Sequence, residues 1–501
     1  MEKKVKNQWN MKEEEIIKIR AEVLNLILDS RKPEATEIIR TEFMKRNHIY
    51  TTRNDKTSEV WIYKDGIYIP QGRTYINEFC RLILVERHTT FFANQVIAKI
   101  EADTPIDADD FFGKKTVNEI AVLNGILDIF TGDMTYFTPD KIFFNKIPVK
   151  YDPRAKCPNI INHFSTVLKD ELDALTLFEL FGYMLLKDYR IAKAFMLVGG
   201  GRNGKSITLE IMKLFLGPEN CVDLSIQDLE DDKFTKGELF NKMANLAGDI
   251  SDDAIQNAAT LKHLTGGDMI SASRKFLPMV HFVNYAKMIF SCNVIPSTRE
   301  MTFAFWDRWI VLEFPYTFVT KKKYDELKEK YTELEKNKKL TQKEKDEFAK
   351  YKIKDINILK KLTTPKEMSG LLNMALNNLE HLLKNQEFHT TLSTNEVRNF
   401  WIRNSHSFMA FADECLEENY SSKLIKQDLK KEYFHYCRKY KIRPESDKTV
   451  KYYITKQFAA MDAQSYIDKE RINVWEGIDF KDNVKKRQKE ESEEKAKKAF
   501  S

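Results

Sequence analysis

The chain has 501 residues, of which 42% are apolar and 31% are charged, a composition typical of a globular protein with about two to four domains. Its 81 basic and 75 acidic residues leave a net charge of only +6, which excludes a histone-like protein that coats DNA with its whole surface. A nucleic acid, if it is the partner, must be held by local basic patches.

Cysteine and histidine spacing argues against a zinc protein. The six cysteines include no Cys-x-x-Cys pair, and the nine histidines include no His-x-His or His-Glu-x-x-His motif. We therefore expect neither a structural zinc site nor a disulfide framework. The N-terminal residues lack the apolar stretch of a signal peptide, and no run approaches the ~18 apolar residues of a membrane span. These features predict a soluble, cytoplasmic protein.

Apolar spacing and composition divide the chain into six predicted segments and indicate a multidomain α/β fold. Residues 321–360 are rich in Lys and Glu, which predicts a solvated helical hairpin, and the last segment predicts frayed helix or disorder. The segments are an N-terminal helical segment (1–59), an α+β domain (60–160), a domain with a central parallel sheet (161–320), a charged helical insertion (321–360), a helical C-terminal domain (361–480) and a charged tail (481–501).

The strongest motif is a phosphate-binding loop. A buried-strand pattern at 194–198 leads into eight residues that fit G-x-x-x-x-G-K-[ST], and a helical pattern closed by Gly217 follows. Glycines allow backbone N–H groups to turn inward around a triphosphate, and the helix N-terminus adds partial positive charge. Lys205 is expected to reach the β- and γ-phosphates, and Ser206 to supply a hydroxyl to Mg²⁺. The predicted ATP-binding residues are Gly199, Gly200, Gly201, Arg202, Asn203, Gly204, Lys205 and Ser206.

Hydrolysis also needs an acid, a polar residue that orients water, and a cation for the developing charge. Asp249 ends an apolar strand pattern about 45 residues downstream and is the candidate for Mg²⁺ and water. Asn293 ends a second strand pattern and is a candidate sensor of the γ-phosphate, although an Asn before Val-Ile-Pro is also a common turn residue. Arg308 lies between aromatic residues, where it can either stack on them or act as an arginine finger.

The order of these elements resembles superfamily 3 helicases, and especially the helicase part of phage, plasmid and poxvirus primase-helicases. The resemblance covers roughly residues 60–480. It rests on the segments Phe195–Ser206, Ala247–Asp249, Lys262–Lys275, the strand to Asn293 with Pro296, and Phe305–Arg308.

The resemblance implies an AAA+-like ATPase that assembles as a ring, usually a hexamer, around single-stranded or forked DNA. It implies translocation along one strand, generally 3′ to 5′, with ATP bound between subunits and Arg308 reaching the neighbour's nucleotide. It also implies a hairpin in the central pore, on which Arg274 and Lys275 would contact DNA phosphates. A replicative role in a prokaryotic host or a virus-infected cell follows, with a primase or other replication proteins as further partners.

Three points stay open in the sequence. Superfamily 3 members often have two adjacent acids, whereas Asp249 stands alone with Asp252 and Asp253 three and four residues later, so the acid that activates water is not fixed. The basic residues of the pore hairpin are also compatible with plain solvated surface. The C-terminal region mixes aromatic and basic residues as a small winged-helix module does, and its helix faces suit either a core or a DNA contact.

Two other classes of protein share these features. A packaging or remodelling motor would also be a ring ATPase, yet it would not separate strands. An origin-binding protein with a vestigial ATPase would hold a nucleotide fold without turnover. A forked-substrate assay distinguishes the helicase from the first class, and ATPase recovery in a mixture of Arg308→Ala and Lys205→Ala subunits addresses the second.

Overall fold

A computed structural model describes most of the chain. The described residues are 9–54, 57–113, 117–232, 234–251, 253–256, 258–274, 277–298, 300, 302–337, 341–440, 442–458, 460–467 and 470–499. Among them, no helix is both long and apolar enough to cross a membrane.

The N-terminal unit packs a helical layer on one side of a small sheet with strand order β3-β2-β1-β4. Its elements are α1 (Glu13–Leu28), α2 (Lys32–Met44), β1 (Ile49–Thr52), β2 (Val60–Lys64), β3 (Ile67–Ile69), α3 (Gly72–Leu84), α4 (Thr90–Asp103), β4 (Pro105–Ile106) and α5 (Ala108–Gly113). One apolar cluster runs from Trp9 to Ile100 and includes Val60 and Ile62. The boundary predicted at residue 59 therefore falls inside a single packed unit, because β1 pairs with β2 across it.

The central unit is built on a five-stranded parallel sheet. The elements from residue 119 to the last strand of this sheet are β5 (Glu119–Val122), β6 (Gly125–Asp128), β7 (Met134–Thr135), α6 (Pro158–Val167), α7 (Glu171–Leu185), β8 (Ala194–Val198), α8 (Lys205–Leu216), β9 (Cys221–Val222), α9 (Ile226–Asp231), β10 (Ala244–Ala247), α10 (Ala258–Thr265), β11 (Met269–Arg274), β12 (Leu277–Val283), β13 (Lys287–Cys292), α11 (Phe303–Trp306) and β14 (Trp309–Glu313). The strand order in the sheet is β14-β8-β13-β10-β9. The strands β8 and β10 are buried along their whole length, as expected for a sheet covered on both faces.

The predicted insertion is a helical hairpin, α12 (Lys321–Lys336) and α13 (Gln342–Ala349), and α12 has no buried residue. Two short parallel strands, β15 (Thr317–Val319) and β16 (Tyr351–Ile353), close its base.

The helices α14 (Ile358–Leu362), α15 (Pro365–Asn385) and α16 (Thr394–Ser405) follow. A side chain at Gly182 in α7 would meet the Ala375 carbonyl at 2.3 Å, so α15 crosses α7 at close range.

Residues 362–401 therefore belong to the central core, and the boundary predicted at residue 361 lies too early. The C-terminal unit has its own apolar cluster from Ile402 to Val484. Its elements are α17 (Ser407–Cys415), β17 (Leu416–Ile425), α18 (Lys426–Tyr440), α19 (Asp447–Gln457), β18 (Met461–Ile467), β19 (Glu470–Phe480) and α20 (Asp482–Ala499). The predicted charged tail is helical, and its first turn packs on this unit through the buried side chain of Val484.

Lys287 joins the sheet to the end of α7. Its fully buried ammonium donates hydrogen bonds to the carbonyl oxygens of Leu186 (2.7 Å), Asp188 (2.7 Å) and Tyr285 (2.9 Å). These carbonyls lie beyond the last turn of the helix or between elements, where backbone acceptors lack regular partners.

Replacing Lys287 with methionine is expected to lower the melting temperature of the chain by about 5 °C or more, because three buried acceptors lose their donor at a cost of about 1–3 kcal/mol each. Thermal unfolding followed by circular dichroism measures the change. The control is Lys169→Met, since Lys169 is exposed. Equal melting temperatures for the two variants would show that the three hydrogen bonds add no net stability.

Candidate functional site

The predicted phosphate loop lies at the carboxyl end of β8, in the centre of the parallel sheet. Gly201, Arg202 and Gly204 have positive φ angles of 91°, 51° and 99°, so the backbone coils in a left-handed conformation before α8 begins. A side chain at Gly199 would meet the Asn203 amide at 2.0 Å, and one at Gly204 would meet Val167 at 2.7 Å. Close packing thus requires glycine at 199 and 204, and the positive φ of Gly204 is a second reason for glycine there.

Lys205, Asn293 and Asp249 form a hydrogen-bonded chain beside this loop. The Lys205 ammonium donates to Asn293 Oδ1 at 3.1 Å, and Asn293 Nδ2 donates to Asp249 Oδ1 at 2.8 Å. Lys205 also donates to the Gly199 carbonyl, and burial lowers the pKa of its ammonium. The three residues follow the adjacent strands β8, β13 and β10, whose carboxyl ends meet at one edge of the sheet.

Asp249 lines the cavity at the carboxyl end of the parallel strands. It has a left-handed φ of 56°, which an Asp tolerates better than most residues. Asp253 accepts a hydrogen bond from Ser251 instead and does not line the cavity. Asp252 lies outside the described residues. Asp249 is therefore the one of the two described acids that the fold brings to the loop.

A divalent cation could be held by Ser206 and Asp249, which line the same cavity. Among the described residues there is no cluster of three or more His, Cys, Asp or Glu side chains with a metal-binding arrangement. A hydroxyl and one carboxylate fit Mg²⁺, since this ion usually keeps several water ligands and shares phosphate oxygens with its substrate.

Arg308 lies at the amino-terminal end of the parallel strands, whereas the loop lies at their carboxyl end. Its carbonyl accepts a hydrogen bond from Ala194 N at 2.6 Å, which places it level with the start of β8, roughly 13 Å before the loop at four residues of strand rise. The guanidinium donates to the hydroxyl of Thr265 at 3.2 Å and to the Ala304 carbonyl at 2.6 Å. Arg308 is thus half-buried, held in one orientation, and remote from the loop of its own chain.

The segment predicted to form a pore hairpin contains the antiparallel strand pair β11 and β12. Arg274 does not project freely from it, since its guanidinium forms an ion pair with Glu59 of the N-terminal unit at 2.6 Å and lies over the ring of Phe240. This arrangement favours a role for Arg274 in joining the hairpin to the N-terminal unit. Lys275 lies outside the described residues.

The cavity extends well beyond the loop, to a volume of about 1560 Å³. One wall comes from α6, through Asn159, Asn162, His163 and Thr166, and another from the base of the charged insertion around Phe318 and Ile353–Leu359. The sequence interpretation missed both walls. The spacing of the α6 residues at i, i+3, i+4 and i+7 marks a helix face, yet only the fold shows that this face borders the loop.

Two family models match parts of the chain. Residues 2–170 match the model described as D5 N terminal like, and residues 197–308 match a family of unknown function, DUF5906. The first match starts upstream of residue 60, where the predicted resemblance began, and it spans the N-terminal unit and continues through α6.

Viral relatives extend the likeness. The chain is 26% identical over 228 residues to "Putative helicase 184R" of Invertebrate iridescent virus 6, which is 40% of this chain and 22% of that protein. It is 32% identical over 136 residues to "Putative helicase 022R" of Frog virus 3, which is 24% of this chain and 14% of that protein. The chain therefore matches less than a quarter of the length of either relative. These similarities support a relationship to viral primase-helicase-like proteins.

Among solved structures, the C-terminal region of NrS-1 aligns with 88% of this chain and 98% of its own, at 11% identity and a TM-score of 0.38.

Proposed function

We propose that the chain is the motor of an ATP-dependent replicative DNA helicase of superfamily 3, from a virus or plasmid. The observation that carries the proposal is the hydrogen-bonded chain Lys205–Asn293–Asp249 beside a left-handed glycine loop. The viral relatives named as helicases support the same function, and the central parallel sheet supports an AAA+-like core.

In the proposed reaction, the loop from Gly199 to Ser206 holds the phosphates of ATP through its backbone N–H groups. Lys205 transfers its ammonium hydrogen bonds from Asn293 to the β- and γ-phosphates. Asn293 then orients water near Asp249, whose Oδ1 it already contacts. Ser206 and Asp249 would hold Mg²⁺, which would supply positive charge to neutralise the charge that develops on the phosphate oxygens.

Arg308 is proposed to act on the nucleotide of a neighbouring subunit in a ring, usually a hexamer. Its position at the amino-terminal end of the strands supports this role, because a residue so far from the loop of its own chain cannot stabilise charge there. Thr265 is proposed as a positioning residue, since its buried hydroxyl accepts the Arg308 Nε hydrogen bond and fixes the direction of the side chain.

Single-stranded DNA is proposed to pass through the ring, with 3′ to 5′ translocation, along a pore bordered by β11 and β12. The exposed side chains of Met269 and Met279 on this hairpin offer apolar contacts to bases, while Arg274 is already paired with Glu59. The C-terminal unit runs in the order helix, strand, two helices and antiparallel hairpin, which supports a winged-helix-like interpretation.

The decisive experiment compares ATP hydrolysis with and without single-stranded DNA, together with separation of a forked duplex. We expect DNA to stimulate the ATPase and the fork to be separated only when ATP is present. ATP hydrolysis that is indifferent to DNA, with no strand separation, would contradict the helicase function and favour a different ring ATPase.

A further inference from the structure

The wall of the cavity formed by α6 has the chemistry of a nucleobase site. Val167, at the C-terminal end of α6, lies against the backbone of Gly204 in the loop. Because a helix rises about 1.5 Å per residue, His163 is about 6 Å and Asn159 about 12 Å further from the loop along the helix axis. A nucleotide whose phosphates lie in the loop can therefore extend its ribose and base along this face.

His163 is the unusual residue on this face. Its side chain lines the cavity, is only 7% exposed, and its Nε2 atom has no hydrogen-bond partner among the described residues. Burial lowers the pKa of His163 to about 4, so the imidazole is neutral at physiological pH. A neutral imidazole offers one donor and one acceptor, which suits the edge of a heterocyclic base better than a phosphate.

The other α6 residues fit the same ligand. Asn162 is exposed in the cavity wall one residue before His163, and its amide carries both donor and acceptor groups. Asn159 is already partly engaged, since its amide donates to Glu367 at 2.9 Å. Asn162 and His163 are therefore the two polar groups best placed to read the edge of a base.

A second wall of the cavity, at the base of the charged insertion, supplies apolar surface. Phe318, Ile356 and Leu359 line it, and Ile356 is 87% exposed, which is unusual for so large an apolar side chain. This wall is tied to the loop, because Phe318 N donates a hydrogen bond to the Arg202 carbonyl at 2.7 Å. Bases present polar edges and apolar faces, and the two walls offer the matching surfaces.

We propose that α6 and residues 353–359 form the nucleobase subsite of the nucleotide pocket, with Asn162 and His163 contacting the base edge and Ile356 covering its face. The inference rests on the proposed binding of a nucleotide by the loop. It also gives the charged insertion a place in the site, since its two base strands border the pocket.

The test is isothermal titration calorimetry of the full chain with Mg²⁺ and three ligands: the β,γ-imido analogues of ATP and GTP, and inorganic tripolyphosphate, which has no base. We expect Asn162→Ala and His163→Gln each to weaken the analogue that the wild type prefers by about tenfold, and to leave tripolyphosphate binding within about twofold of wild type. Ser165→Ala, on an exposed face of the same helix, is the matched control and should bind all three ligands as the wild type does.

Asn162 is exposed, so its substitution leaves the core intact even if the buried His163 variant folds poorly. Unchanged nucleotide affinity in Asn162→Ala, combined with loss of all three ligands in Lys205→Ala, would overturn the subsite and leave nucleotide binding in place. No binding of any ligand to the wild type would overturn both the subsite and the proposed function.

Discussion

Replacing Lys205 with alanine is expected to lower the ATPase rate by about 10³-fold and to abolish separation of a forked duplex. The loop contains two cations, and Lys205 is the buried one, in contact with Asn293, whereas Arg202 is exposed. Removal of Lys205 takes away the buried positive charge that would contact the phosphates of ATP in the proposed mechanism. Among the described residues, Lys205 is the one cation that belongs to the hydrogen-bonded chain with Asn293 and Asp249. A steady-state phosphate-release assay, with and without DNA, measures the loss.

The matched control is Lys169→Ala, which removes an exposed lysine outside the cavity and should retain full activity. Circular dichroism should show the same secondary structure for both variants, because Lys205 supports no core contact comparable to that of Lys287. A Lys205→Ala protein that still hydrolyses ATP within tenfold of wild type would show that the loop does not hold the reacting phosphates.

Replacing Arg308 with alanine is expected to reduce the ATPase rate by about 10³-fold, although the residue is remote from the loop of its own chain. The physical reason is that a guanidinium from the neighbouring subunit would stabilise charge on the γ-phosphate in the transition state. Arg190→Ala is the matched control, since Arg190 precedes the start of β8 and forms a local ion pair with Asp188. The ATPase rate of this variant should stay within about twofold of wild type.

Mixing the two inactive variants tests whether Arg308 acts between subunits. In an equal mixture of Arg308→Ala and Lys205→Ala chains, about one quarter of the interfaces combine an intact loop with an intact arginine, so about a quarter of the ATPase should return. Mixed rings that recover no activity would contradict a role in trans. Recovery also requires assembly, which size-exclusion chromatography with light scattering measures on the same samples.

The loop and its neighbours illustrate what local sequence can reveal. Gly199 to Ser206 could be predicted because phosphate binding needs a particular backbone shape, and that shape requires glycines at fixed spacing. The structure confirms a buried parallel strand before the loop and a helix after it. Asp249 and Asn293 could be predicted only as strand-end residues, and the parallel sheet brings them together.

Residues whose role depends on distant partners could not be predicted. Arg274 was expected to contact DNA because the family resemblance places it on a pore hairpin, and the fold pairs it with Glu59, which is 215 positions away in the chain. The boundaries expected at residues 59 and 361 were misplaced for the same reason, because composition changes there while the apolar cores continue across them.

The sequence by itself determined the glycine-rich loop between a buried strand and a helix, the parallel α/β character of the centre and the exposed charged hairpin, since each follows from residue types at short spacing. Only the tertiary structure decided that Asp249 borders the loop and that Arg308 lies at the amino-terminal end of the strands, away from the loop. The tertiary structure also decided that α6 and the base of the insertion enlarge the pocket. Those relations arise from strand order and from helix packing, and both depend on contacts between residues far apart in the chain.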